Sequence, residues 1–368
     1  MACKKVDCIL PERSQYHVLH HFTIKISEAL QRAGHAVRLL SAEECASACS
    51  LDPPDMTLGL NGAPQIVKDL FLCDVIEVPH AALLMDPPYY YLGLLESPYI
   101  EIFCDDETNI NVLQSFGCSN AAFLTQGVEP ELIDEPEMPK EYDIVFFASY
   151  FDVDKAKEVW KEHLPDELCR IMDAAISETL QDESKNLPQS FEKALGGRID
   201  LLNRVNIFDL LYEMSYVQKG QARIDLLKSL KNLPIHVWDN RWKEQLNHSG
   251  NFIVHDAVDY PEALGILKKS KIVLCNSIRS VRGCNERVLN ALACNALPVT
   301  NANPYYDEHF QDAKDLLMYT KDDLHLLEEK VLLYLDNANL RGELVQSGKK
   351  KVSLHHTWDN RIRTLFKE

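Results

Sequence analysis

Short apolar runs alternate with helical patterns along the first third of the chain, and the runs have the length of buried strands. One helix is predicted at residues 18–33 and ends before Gly34, and a second helix is predicted at residues 108–116. Because strands that alternate with helices build parallel, doubly wound sheets, the pattern predicts an α/β domain with ligands beyond the carboxyl ends of its strands. The predicted strands are residues 6–10, 36–40, 56–61, 80–85, 99–104 and 121–124.

The same pattern returns after a stretch rich in proline and glutamate, which has the composition of a linker. Strands are predicted at residues 142–148, 235–238 and 252–255, with helices at 222–230 and 261–269, and residues 153–222 read as a helical insertion. The sequence therefore predicts two Rossmann-like domains. The first comprises residues 1–130 together with a final crossing helix at 355–368, and the second comprises residues 142–354. A linker at 131–141 joins them.

Residues 271–301 form the most informative unit, a strand at 272–275, a polar loop, a helix and a strand at 296–300. Asn285 is suited to cap the helix, and Asn295 suits the left-handed residue that ends it. Arg279, Arg282 and Arg287 surround the helix start in a chain of net charge −18. A helix N-terminus beside guanidinium groups suits a phosphate, and a surface loop with arginines paired to carboxylates is the alternative.

Composition narrows the classes of function. With 368 residues and 46% hydrophobic content the chain can bury two cores, and its acidity disfavours nucleic-acid partners. No apolar run reaches the length of a membrane span or a secretion signal, so a cytoplasmic protein is expected. Its eleven cysteines are expected to be reduced, and Cys45 with Cys49 has no second pair to complete a zinc site.

Polar residues just after the predicted strands of the first domain are candidates for chemistry. His17 and Asp86 are the two that we single out as catalytic, because a histidine or carboxylate there could remove a proton from an acceptor. The alternatives are a polar helix face for His17 and a turn carboxylate for Asp86. Asp105 and Asp106 are expected to cap the following helix.

The segment Gly283-x-Asn285-x-Arg287-x-Leu289-x-Ala291-Leu-Ala-Cys294 resembles the nucleotide-sugar signature of GT-B glycosyltransferases, especially the CgeB-like branch. Weaker similarity lies in "VPHAALLMDPPYYY", "IFCDDE", "FLTQGVEPELID" and the closing His355-His-Thr-Trp-x-Asn-Arg361. Two positions depart from the family pattern. Asn290 replaces the glutamate that usually holds the ribose, and Asn295 replaces a glycine.

The resemblance implies a GT-B architecture with two domains facing a cleft and a nucleotide-sugar, for example a UDP- or GDP-sugar, as co-substrate. No separate cofactor is implied, and Asp152-Val-Asp154 is interpreted as helix capping, so no metal is expected. The acceptor would be a polysaccharide, a lipid-linked glycan or a protein. The implied donor-binding residues are Ser149, Arg223, Trp238, Val258, Arg279, Arg282, Gly283, Cys284, Asn285, Arg287 and Asn290.

Three other hypotheses stay open at this stage. A nucleotide-sugar epimerase would use the same fold and phosphate site with water as the acceptor. A catalytically silent nucleotide-binding or partner-binding module is favoured by Asn290. A purely structural protein is disfavoured by the clustered arginines.

Overall fold

The computed structural model describes residues 3–68, 70–182, 184–203, 205–246 and 250–367. The chain divides into two compact units. The first contains Met1–Pro136, Asp259–Leu264 and Lys351–Glu368, and the second contains Glu137–Val258 and Gly265–Lys350. The return of the chain to the first unit at Asp259–Leu264 has no counterpart in the sequence pattern.

The first unit is built on a six-stranded parallel sheet in the order β2-β1-β3-β6-β7-β8. All five residues of the central strand at 80–84 are buried, as expected for a strand covered on both faces. The order reverses direction between β1 and β3. The elements are β1 (Lys5–Ile9), α1 (Val18–Arg32), β2 (Ala36–Leu40), α2 (Ala42–Leu51), β3 (Met56–Leu60), β4 (Gln65–Val67), β5 (Leu70–Phe71), α3 (Leu72–Ile76), β6 (His80–Leu84), β7 (Ile100–Cys104), α4 (Thr108–Ser115), β8 (Ala121–Phe123) and α5 (Pro130–Asp134).

The second unit repeats this design with the order β11-β10-β9-β12-β13-β14, again all parallel. Its direction reverses between β9 and β12, which makes the carboxyl ends of these two strands the expected ligand position. The remaining elements of the chain, in order, are β9 (Tyr142–Phe147), α6 (Val153–His163), α7 (Asp166–Gln181), α8 (Leu187–Leu195), α9 (Ile207–Ser229), β10 (Ile235–Trp238), α10 (Lys243–Leu246), β11 (Phe252–His255), α11 (Tyr260–Lys268), β12 (Ser270–Leu274), α12 (Glu286–Ala293), β13 (Leu297–Asn301), α13 (Pro304–His309), β14 (Leu317–Tyr319), α14 (Leu327–Asp336), α15 (Ala338–His355) and α16 (Trp358–Leu365). Helix α16 belongs to the first unit, as do the start of α11 and the end of α15.

The predicted α/β class with two doubly wound sheets is confirmed, and the helical segment differs in one respect. The predicted end of the insertion at residue 222 lies inside α9, which is one continuous helix. Its first half packs on α7, and its second half buries Leu226 and Leu227 in the core beneath the sheet. Since one helix serves both regions, no break in the sequence pattern marks the boundary.

Within the described residues, no helix is long and apolar enough to cross a membrane. All eleven cysteines are described, and none forms a disulfide.

Asp106 accepts from the Thr108 backbone amide at 2.8 Å, as predicted for a residue at this helix start, and Asp105 accepts instead from Gln126 Nε2 at 3.4 Å. Asp152 caps α6 by accepting from the Lys155 amide, as expected.

Candidate donor site

The candidate site lies in the second unit, where β9 and β12 end at the reversal of the sheet. Helix α12 starts there, and the predicted cap is confirmed, because Asn285 Oδ1 accepts from the Arg287 amide at 2.9 Å. The same oxygen accepts from Arg287 Nε at 3.2 Å. Arg287 also donates to the carbonyl of Phe147 at the end of β9, and Glu286 lies 3.4 Å from its Nε. The Arg287 guanidinium is thereby fixed at the point where the sheet reverses.

A second arginine reaches the same place from α9. Arg223 is only 8% exposed, and its guanidinium donates to the carbonyl of Ser149, just past β9. The guanidinium also lies over the Phe151 ring, 4.7 Å from its centroid. Arg223 Nε is buried and has no hydrogen-bond partner among the described residues. One donor of a buried cation is therefore left unsatisfied by the described part of the protein.

The electrostatics of Arg223 are unfavourable without an anion. Burial lowers the pKa of Arg223 from 12.5 to about 9, and the charges of Arg287 and Arg279 lower it further than the carboxylate of Asp239 can offset. A guanidinium stays charged in proteins, so this shift measures the cost of holding the charge there. A phosphate placed among these groups would relieve it.

The Asp239 carboxylate, whose charge acts in favour of the Arg223 cation, also holds other partners. Asp239 follows β10 and accepts from Arg241 Nε at 2.9 Å and from the Tyr150 amide at 3.0 Å. Burial acts to raise the pKa of Asp239, but these hydrogen bonds outweigh it and leave the pKa below its ordinary value. Because Asp239 pairs with Arg241, it does not neutralise Arg223 as well.

The other predicted donor residues occupy varied surroundings. Arg282 pairs with Glu308 at 2.6 Å. This pairing is what we expect for Arg282 if the arginines belong to an ordinary surface loop and do not bind a phosphate. Trp238 is 6% exposed, and its ring is stacked between Phe147 at 4.8 Å and His255 at 4.4 Å. Both of its faces are therefore covered, as in a core tryptophan.

The remaining donor candidates lie close to α12 or at the end of β11. Gly283 and Cys284 are buried in the loop before the helix, and Asn290 is 2% exposed within it. Val258 is partly exposed in the segment after β11. Asn295, the second departure from the family pattern, has the predicted left-handed backbone with φ of 57°.

The catalytic candidates both belong to the first unit. His17 is exposed in the loop after β1 and has a left-handed backbone, with φ of 57°, as does Tyr16 with φ of 54°. Asp86 follows β6 and accepts from Asn61 Nδ2 at 2.9 Å. Strand β3 lies between β1 and β6, so the two candidates follow strands that are not neighbours in the sheet.

Sequence reasoning missed a polar pair in the first unit, formed by the half-buried His21 and the buried Glu129. His21 Nε2 lies 3.1 Å from Glu129 Oε1, and the Tyr260 ring packs on His21 with centroids 5.0 Å apart. The three residues are far apart in the chain, and no local motif joins them. Only the fold brings them together.

Comparisons with known proteins agree with this geometry. Residues 221–367 match the family model described as Glycosyl transferase-like, which includes Arg223 and all of α12. No curated protein sequence matches the chain.

Solved structures with a similar fold cover almost the whole chain at low identity. A glycosyltransferase from Rickettsia africae is 11% identical, with a TM-score of 0.57 over 100% of this chain and 98% of its own. An alpha-glucosyltransferase solved with UDP-glucose and DNA containing an abasic site is 11% identical, with a TM-score of 0.60 over 100% and 99%. The Anabaena protein HepE, solved with UDP-glucose, is 9% identical, with a TM-score of 0.58 over 99% and 100%. The chain thus has the GT-B fold of two-domain glycosyltransferases, and its residues 221–367 match the Glycosyl transferase-like family model.

Proposed function

We propose that the protein is a glycosyltransferase that moves a sugar, most simply a hexose, from a nucleoside-diphosphate donor to an acceptor. The observation that carries the proposal is Arg223, a buried cation with an unpartnered Nε beside Arg287 at the reversal of the second sheet. A diphosphate carries the charge and the acceptor oxygens that this cluster lacks. The match of residues 221–367 to a glycosyltransferase family supports the same proposal.

The proposed chemistry is electrostatic. As the bond between sugar and phosphate breaks, negative charge grows on the leaving diphosphate, and Arg223, Arg287 and Arg279 would stabilise it. Because these arginines supply the positive charge, the proposal needs no metal ion. Gly283, Cys284 and Asn285 would lie along the phosphates, with Asn290 towards the ribose.

The first unit would bind the acceptor and, for an inverting reaction, supply the base. His17 is the better candidate of our two, because its left-handed backbone is strained and strained backbone often marks functional positions. The net charge of −18 disfavours a nucleic-acid acceptor and leaves a polysaccharide, a lipid-linked glycan or a protein. UDP-glucose in two proteins of similar fold makes a UDP-sugar the first donor to test. Membership of the CgeB-like branch is part of the proposal and rests on the motif around α12.

Isothermal titration with UDP, GDP, ADP, CMP and dTDP tests the proposal, using wild type and Arg287→Ala. The loss of one charged hydrogen-bond donor costs about 1.5–3 kcal/mol, so the bound nucleotide should lose roughly 10- to 150-fold in affinity. Arg198→Ala, which removes a surface arginine paired with Glu167, is the matched control and should bind like wild type. If no nucleotide binds wild type at millimolar concentration, the proposal is wrong.

A further inference from the structure

The loop that carries two of the site arginines is held from behind by buried side chains. We call residues 276–285 the arginine loop. Asn301 Oδ1 accepts from the Ser277 amide at 2.6 Å near the start of the loop. Asn303 Nδ2 donates to the carbonyls of Ser280 at 2.8 Å and Gly283 at 3.0 Å.

The end of the loop is held by a tyrosine. The Tyr306 hydroxyl accepts from the Asn285 amide at 3.0 Å, so it fixes the residue that caps α12. It also forms a hydrogen bond with Ser277 Oγ at 3.1 Å, which joins the two ends of the loop. The pKa of Tyr306 lies well above its ordinary value because the hydroxyl is buried, so it stays a neutral phenol.

These side chains are buried, which makes their hydrogen bonds costly to lose. Asn301 is 4% exposed, Asn303 is 2% exposed and Tyr306 is fully buried. Asn303 Oδ1 also accepts from the Tyr306 amide at 2.8 Å and caps α13. One asparagine thus links the position of α13 to the shape of the arginine loop.

We infer that Asn301, Asn303 and Tyr306 are positioning residues for the diphosphate, an inference that rests on the proposed function. The charges of Arg279 and Arg287 both act against the buried charge of Arg223, so keeping the arginine loop close to Arg223 has an electrostatic cost. Side chains that fix the loop beforehand hold its charge near the other arginines and reduce the ordering needed on binding.

The test compares the affinities of UDP and UMP in wild type and Tyr306→Phe. This substitution keeps the ring and removes only the acceptor of the Asn285 amide and the partner of Ser277. UDP affinity should fall about 3- to 10-fold, and the ratio of UDP to UMP affinity should fall with it, because the second phosphate relies on the arginines. A purely structural role would lower the melting temperature and leave this ratio unchanged.

Two further variants sharpen the result. Asn303→Asp keeps the oxygen that caps α13 and removes both donors to the arginine loop, so the ratio should fall at least as far as in Tyr306→Phe. Tyr334→Phe removes the phenol hydroxyl of a buried tyrosine on α14 and is the matched control, with the ratio of wild type. If wild type binds UDP and both test variants keep its ratio, the inference is wrong and the proposed function stands. If wild type does not bind UDP, the inference fails together with the UDP-sugar proposal.

Discussion

Replacing Arg223 should raise the stability of the unliganded protein and weaken its binding of nucleotide. The substitution Arg223→Met keeps much of the side-chain volume and removes the charge. The lowering of the Arg223 pKa from 12.5 to about 9 corresponds to a cost of roughly 5 kcal/mol for keeping the guanidinium charged. The hydrogen bond to the Ser149 carbonyl returns about 1 kcal/mol, and the contact with the Phe151 ring returns about 2 kcal/mol.

The unliganded Arg223→Met protein should therefore be more stable than wild type by ~2 kcal/mol. For a unit of this size that corresponds to a melting temperature raised by roughly 4–8 °C. The assay is differential scanning calorimetry with and without 1 mM UDP. UDP should stabilise wild type much more than Arg223→Met, because the variant lacks the buried donor and binds the nucleotide more weakly.

Arg341→Met is the matched control for this experiment. Burial also lowers the pKa of Arg341, but its Nη1 donates to the carbonyls of Tyr334 at 2.6 Å and Leu335 at 3.0 Å. Removing this arginine should lower the melting temperature, because two carbonyls lose their donor. The reasoning is refuted if Arg223→Met is destabilised to the same extent as Arg341→Met, or if it still responds to UDP like wild type.

Two further predictions concern the two units separately. Burial lowers the pKa of His80 to about 4, below the 6.5 of the unfolded chain, so the unfolded state binds more protons between these values. Stability should be complete above pH 6.5 and fall by about 3 kcal/mol as the pH drops to 4, and a melting series for His80→Gln should lack this component. In the second unit, a Cβ on Gly220 would lie 2.6 Å from Val153 Cγ2 and 3.0 Å from Phe151 Cβ. Gly220→Ala should cost about 1–3 kcal/mol of unfolding free energy and weaken UDP binding, because Phe151 supports Arg223, whereas Gly265→Ala, in open space on α11, should be neutral or stabilising. Equal melting temperatures for the two alanine variants would contradict this account.

Much of the fold follows from the apolar pattern, because strands buried on both faces read as uninterrupted apolar runs. Residues 81–84 and residues 272–274 are of this kind. Strand β14 was not predicted, because three residues give too short a run, and neither was the hairpin of β4 and β5, whose residues 65–67 are all exposed. Short or exposed strands depend on their neighbours and leave little signal in the sequence.

The candidate site likewise contains local features that the sequence predicts and tertiary contacts that it does not. The cap at Asn285 and the arginines of the loop are local features, and residue spacing alone predicts them. Arg223 is about sixty positions away from them in the chain, and only the family resemblance indicated it. Asn303 caps α13 and Tyr306 lies in its first turn, and their hydrogen bonds to the arginine loop depend on how α13 packs. Such tertiary contacts cannot be read from a single sequence.

A crystal structure of the protein with UDP tests the central claim most directly. The account predicts diphosphate oxygens within about 2.7–3.2 Å of Arg223 Nε and of the Arg287 guanidinium, at the ends of β9 and β12. It also predicts that the hydrogen bond between Tyr306 and the Asn285 amide is kept when the nucleotide is bound. A nucleotide bound elsewhere in the chain, with Arg223 Nε still without a partner, would contradict the account.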